Sequence, residues 1–246
     1  MDRNAGAAQN EAMEPSPMRI PLGMLAMAAT LAAAPTLAQV ATPSVPPGGA
    51  RTEGDVLLAQ AGAGDLFDNL TSVDAQDIRL RHKASGLVCE FNAGAASNRV
   101  VVFGSDKRGD DIACSTGGAV GERTLYASRT PGRSLAEAFA HDLAEVKKNH
   151  PGAVDYAFPP GTDSPILQML DIPPMPPSKT ARFVVDHQFT SVSSAVVKGW
   201  SLEFRFTCPE ERQDAAAGTV QPTLWVTILA QISGAPLDLV APKQAV

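Results

Sequence analysis

"DIRLRHKASGLVCEF", residues 77 to 91, alternates with a period of two. Ile78, Leu80 and His82 fall on one side of an extended chain and Arg79, Arg81 and Lys83 on the other, because successive strand side chains point to opposite faces. Ser85-Gly86 reads as a turn, and Leu87 to Phe91 returns as a second strand. A connection this short pairs its strands antiparallel.

Outward from that hairpin the pattern repeats. "NAGAASN" leads into "RVVVFGS", "DKRGDD" into "IACS" and "TGGAVGE" into "RTLYASR", which makes four or five short strands joined by turn-rich loops. Ser134 then opens a helix. Ser134 and Glu137 fit a capping box, in which the serine oxygen accepts from a free backbone N–H and the glutamate reaches back. Leu135, Phe139, Leu143 and Val146 follow at helical spacing, Lys147, Lys148 and His150 place positive charge at the negative end of the helix dipole, and Pro151-Gly152 ends it.

Residues 151 to 179 hold eight prolines, which remove backbone donors, so an irregular excursion is expected there. Three further strands are expected after it. "ARFVVDHQF" puts Phe183, Val185, His187 and Phe189 on one side. "KGWSLEFRFTC" alternates Trp200, Leu202, Phe204, Phe206 and Cys208 against Ser201, Glu203, Arg205 and Thr207, and "TLWVTILAQI" reads as a central strand. Strands, helix, then strands imply an α+β domain over 73–235: a mainly antiparallel sheet of about six to eight strands with one main helix packed on it, and a tail over 236–246.

Before the domain, residues 39–72 are rich in Pro, Gly and Ala and read as a disordered linker, unable to bury enough apolar surface to offset its ordering entropy. Residues 1–38 read as an N-terminal extension and signal peptide. Arg19 supplies a positive lead, Leu22 to Ala34 carry no charge, and Thr36-Leu37-Ala38 place small residues at the −3 and −1 positions of a cut before Gln39. Met18 is the expected true start, because Asp2, Glu11 and Glu14 give the preceding residues a net negative charge foreign to a secretory lead. Without a cysteine just after the apolar run, the product is expected to be unlipidated, with no membrane span after cleavage and an extracytoplasmic location, periplasmic or secreted.

Compartment decides the cysteines. Export to an oxidising location favours a disulfide for two of the three, and Cys89–Cys114 is the leading pair, with Cys208 on the apolar face of its strand as a buried thiol. Pairs involving Cys208, or three free thiols, remain open at this point because spacing does not fix connectivity.

Other chemistry lacks its motif. His82, His141, His150 and His187 show no zinc-type spacing. "GWSLE" breaks the G-x-S-x-G pattern at its last position, and "STGGAVGE" precedes a strand where a phosphate loop needs a helix. No catalytic, cofactor-binding or metal-binding residue is therefore assigned, and no cofactor is expected. Residues 73 to 133 hold nine Lys/Arg against seven Asp/Glu, too even for a nucleic-acid-binding domain. The basic stripe Arg79, Arg81 and Lys83 reads either as the solvent side of an edge strand or as a docking face for an anionic partner. The expectation is a non-catalytic binding or scaffolding protein of the cell envelope, its partner an anionic envelope component or another envelope protein. The alternative is an extracytoplasmic hydrolase-like enzyme whose site is assembled only in three dimensions.

Overall fold

A computed structural model describes residues 49–119, 121–157 and 174–234, all within one unit, Pro43–Val246. The expected signal segment, the first part of the linker, most of the proline-rich excursion and the tail lie outside the described residues. The fold is α+β and antiparallel. Two sheets carry it: three strands in the order β1 (Phe67–Asn69), β2 (Asp77–His82), β3 (Val88–Asn92), and seven in the order β4 (Arg99–Val102), β5 (Asp111–Gly118), β6 (Gly121–Arg129), β10 (Trp200–Pro209), β9 (Gln188–Val197), β8 (Ser178–Val185), β7 (Val154–Asp155).

The alternation at 77 to 91 builds β2 (Asp77–His82) and β3 (Val88–Asn92), with Ile78, Leu80 and His82 fully buried and Arg79 and Arg81 outward. They pair with β1 (Phe67–Asn69) and with each other to make the small sheet, so β2 is its middle strand rather than an edge. The next three expected strands appear as β4 (Arg99–Val102), β5 (Asp111–Gly118) and β6 (Gly121–Arg129), which begin the large sheet. α2 (Leu135–Asn149) starts from Ser134 with both halves of the capping box formed. Its buried line is Ala138, Asp142 and Val146, flanked by half-buried Leu135, Phe139 and Leu143, so the packed face is centred one row away from the expected stripe.

Three expectations are overturned. Residues 49–72 are not a linker: α1 (Gly49–Gln60) buries Ala50, Gly54, Leu57 and Leu58 on the small sheet, and β1 follows it. Composition hid a helical face of two small residues and two leucines, and Gly54 must stay small, since a Cβ there would stand 2.9 Å from the Asn69 amide and 3.0 Å from Ile78. Next, "ARFVVDHQF" is not one strand. β8 (Ser178–Val185) ends at Asp186-His187, two residues with φ of 49° and 60°, and the chain reverses into β9 (Gln188–Val197). Two consecutive positive φ values match a tight hairpin turn whose twist suits the flanking strands. The reversal sends Phe183 and Phe189 to opposite faces of the sheet. Lys198-Gly199 repeats the device, with φ of 51° and 79°, before β10 (Trp200–Pro209). Last, "TLWVTILAQI" is helical: α3 (Gln221–Ser233) has Pro222 in its first turn, Gly234 at φ 77° beyond its end, and Gln221, Trp225, Ile228, Leu229 and Ile232 buried at helical spacing. β7 (Val154–Asp155) is a short edge beside β8.

One face of the large sheet meets the small sheet and α3. Ile112, Cys114, Leu125, Leu202, Phe204 and Phe206 join Phe67, Ile78, Leu80 and Phe91 of the small sheet and Trp225 and Leu229 of α3 in a single core. The buried His82 ring bridges the layers, 5.0 Å from Phe67 and 5.5 Å from Trp200 between centroids. α2 covers part of the other face, where Val146, Phe183 and Val192 form a second, smaller core. Cys89 and Cys114 are joined, with their Cα atoms 6.0 Å apart, and they belong to different sheets: the bond ties β3 to β5 across the core instead of linking neighbours within one sheet.

Three measurements check this arrangement. Thiol titration of the oxidised protein is expected to find one sulfhydryl, Cys208, and only after denaturation, since Cys208 is 2% exposed and burial pushes its thiol up. Replacing both bridged cysteines by Ala is expected to lower stability by roughly 3 kcal/mol, the chain-entropy value for a loop of this length. Ser134→Ala is expected to cost about 1 kcal/mol in a urea melt, because the cap oxygen accepts the Glu137 N–H.

Candidate functional site

The basic stripe is partly paired in place. Arg81 lies directly opposite Asp68 of β1 and bonds it at 2.7 Å, Arg79 lies opposite Glu90 of β3 at 3.2 Å, and Lys83 stands 3.8 Å from Asp68. The Arg81 guanidinium holds the Asp68 carboxyl below its usual range. Such cross-strand pairs serve the sheet, and with two carboxylates against three cations they leave the stripe one net positive charge.

Among the described residues, a histidine, an acid and a serine meet where α2 crosses β9. His141 Nδ1 lies 3.4 Å from Asp142 Oδ1, and the Ser194 hydroxyl donates to Asp142 Oδ2 at 2.6 Å. The order is wrong for acyl transfer, which needs the imidazole between carboxylate and hydroxyl so that it takes the serine proton. Ser194 is also fully buried. His82 reaches the Ser85 hydroxyl at 2.9 Å, but both side chains are buried in the hairpin turn, where the Leu87 N–H donates to that hydroxyl as well. Burial lowers the His82 pKa and keeps the ring neutral. His187 stands fully exposed on its turn, 3.5 Å from Glu210. Among the described residues no group of three or more His, Cys, Asp or Glu side chains is placed to hold a metal ion.

Charged, hydroxyl and aromatic side chains gather on the α2 side of the large sheet. α2 sits over β8 and β9 and reaches only the margin of β10, which leaves β10, β6, β5 and β4 uncovered on that side among the described residues. Strand register arranges this face in rows that start from buried residues under α2 and run outward across the sheet. Ser194, Glu203, Tyr126, Ala113 and Val101 lie side by side across five strands, and Val192, Arg205, Thr124, Ser115 and Arg99 form the next row. Beyond Val101, the Phe103 ring stacks near Tyr126 with centroids 6.4 Å apart. The Arg205 guanidinium stands 5.0 Å from the centre of the Tyr126 ring and also donates to Glu203, so rings and charges form one continuous ledge. Phe103 and Val101 are 39% and 36% exposed, an apolar lip on an otherwise hydroxyl-rich surface.

Glu203 is the electrostatic centre of the ledge. Its burial at the α2 margin pushes its carboxyl up to about 7, against the opposing pull of Arg205 and with added repulsion from Asp142. Burial also raises Tyr126. Neither Glu203 nor Arg205 was singled out by motif. The signal present was their position two apart on the polar side of "WSLEFRF", while their partners on β6 and α2 are distant in sequence and met only once the register was known.

No protein-family model matches this chain, and a search of curated proteins finds no relative. The site therefore stands on its geometry.

The raised Glu203 carboxyl has a stability consequence. Its native form holds a proton that the unfolded chain releases near 4.5, so stability from this group is greatest below about pH 4.5 and is lost as pH rises toward 7. Over that window the loss is on the order of 2 kcal/mol. Glu203→Gln is expected to match the wild type near pH 5 and to exceed it at pH 8 in urea melts. Depressed His82 acts with the opposite sign, losing stability as pH falls below 6.5, and it cancels in the comparison of the two proteins.

Proposed function

We propose that this protein works outside the cytoplasm as a non-catalytic binding or scaffolding component of the cell envelope, and that the open half of its large sheet is the contact face. The observation that carries the reading is the row in which exposed Arg99 and half-buried Arg205 flank half-buried Ser115 and Thr124, beside the Phe103–Tyr126 ledge. One exposed cation, a second shared with Glu203, two hydroxyls and an exposed ring on an open sheet face fit an anionic, hydroxyl-bearing polymer better than a deep-seated substrate. The Arg79, Arg81 and Lys83 stripe, the other basic surface, is partly paired and enters only as a secondary contact.

Export rests on the signal-like run and the cut before Gln39, and it agrees with the disulfide and with the lack, among the described residues, of any helix long and apolar enough to cross a membrane.

Two tests follow. Intact mass of protein recovered from the envelope fraction is expected to begin at Gln39; a full-length species in the cytosol ends the export argument. Retention of the purified protein on immobilised dextran sulfate, with neutral dextran as control, is expected to fall about tenfold in the Arg99→Gln, Arg205→Gln double variant and to weaken at high salt. Equal retention on both polymers, or retention untouched by the two substitutions, rejects this face.

A further inference from the structure

Glu203 and Arg205 stand two residues apart on β10, so their side chains share the open face of the sheet. Their pairing is incomplete. The Glu203 carboxylate takes only the Nε–H of Arg205, and the two terminal nitrogens of that guanidinium bond no other protein group among the described residues. The Tyr126 ring, centred 5.0 Å from the guanidinium carbon, holds the cation from beside, whether or not Glu203 is charged. Arg205 therefore keeps a free two-nitrogen fork of the kind that binds oxyanions, while an ionised Glu203 cancels its charge.

Every element packed against Glu203 bears on that charge. α2 brings Asp142, a second carboxyl whose Oδ2 accepts from the Ser194 hydroxyl, and beside it His141, 59% exposed. β9 brings Ser194 and β6 brings Tyr126, the register neighbours of Glu203 on its two sides. Farther out on β5, Asp111 accepts from the Ser128 hydroxyl. The Glu203 side chain is only 12% exposed, and its desolvation, with repulsion from Asp142, outweighs the pull of Arg205 and His141 and pushes the carboxyl up to about 7.

We propose that Glu203 is a proton-controlled gate on the anion-binding face: ionised, it neutralises Arg205 and repels the polymer, and protonated, it yields the guanidinium fork to an oxyanion of the polymer. The inference rests on the contact-face reading and deepens it by naming what regulates that face. Linkage fixes the sign. Binding is strongest where Glu203 carries its proton, below about pH 7, and weakens as pH rises through that value. Reciprocally, an anion seated on Arg205 disfavours the Glu203 charge, so binding draws in a proton.

The test is titration of the full oxidised protein with dextran sulfate, and with neutral dextran as control, between about pH 5.5 and 8.5 at constant salt. Sulfate esters stay ionised across that range, so the titrating partner is the protein. Affinity of the wild type is expected to fall about tenfold over the range, the effect of one added negative charge beside the bound anion. Glu203→Gln is expected to hold the low-pH affinity throughout. Calorimetry in buffers of different ionisation enthalpy is expected to find uptake of about half a proton per bound protein near pH 7, missing in Glu203→Gln. Imidazoles titrate over part of the same range, so His141→Gln is run beside it and is expected to keep most of the fall. Circular dichroism and melting establish that each variant is folded. A pH dependence that survives Glu203→Gln, or one that vanishes in His141→Gln, overturns the gate and leaves the contact face standing. Equal binding of the two polymers even at low pH overturns the face and the gate together.

Discussion

The packing of the small sheet onto the large one, closed by the Cys89–Cys114 bond, is the constraint on which the remaining structure depends. Three strands are too few to stand alone in water, and Phe67, Ile78, Leu80 and Phe91 are buried only because the large sheet and α3 lie against them. The disulfide holds β3 against β5 at the place where the two sheets meet. That stacking commits one face of the large sheet to the core. Among the described residues the face away from the small sheet carries only α2, whose fifteen residues cover β8 and β9 but not the width of seven strands.

The proposed contact face is a consequence of that asymmetry. On the side that α2 leaves open, strand register alone brings Glu203, Arg205, Tyr126 and Arg99 into adjacent rows, and the nearby α2 margin desolvates Glu203 enough to push its carboxyl up to about 7.

Much of the architecture was legible where local chemistry agrees with the tertiary fold. β2 and β3 follow from the alternation at 77 to 91, the start of α2 from Ser134 and Glu137, and β10 from the alternation through Trp200 to Cys208. The bridge between Cys89 and Cys114 was favoured by compartment and parity, though its span between two sheets was not foreseen. Three elements escaped. α1 buries small residues whose value lies in close approach, a property composition does not register. β9 is "QFTSVSSAVV", where Ser191 and Ser193 occupy buried positions, and its flanking turns use Asp186-His187 and Lys198-Gly199, of which only the last residue is a glycine. α3 is apolar nearly throughout, so a helical period was masked by a run that suits a buried strand equally well. The ledge was unreadable for a different reason: its members come from β4, β5, β6, β10 and α2, and only register brings them together.

Hydrogen–deuterium exchange on the oxidised and the gently reduced protein tests the stacked-sheet account most directly. The account expects reduction to expose the amides of α1, β2 and β3 while β6, β9 and β10, central in the large sheet and backed by α2 and α3, keep their protection. Identical exchange in the two states, or loss of protection spread evenly over both sheets, contradicts it.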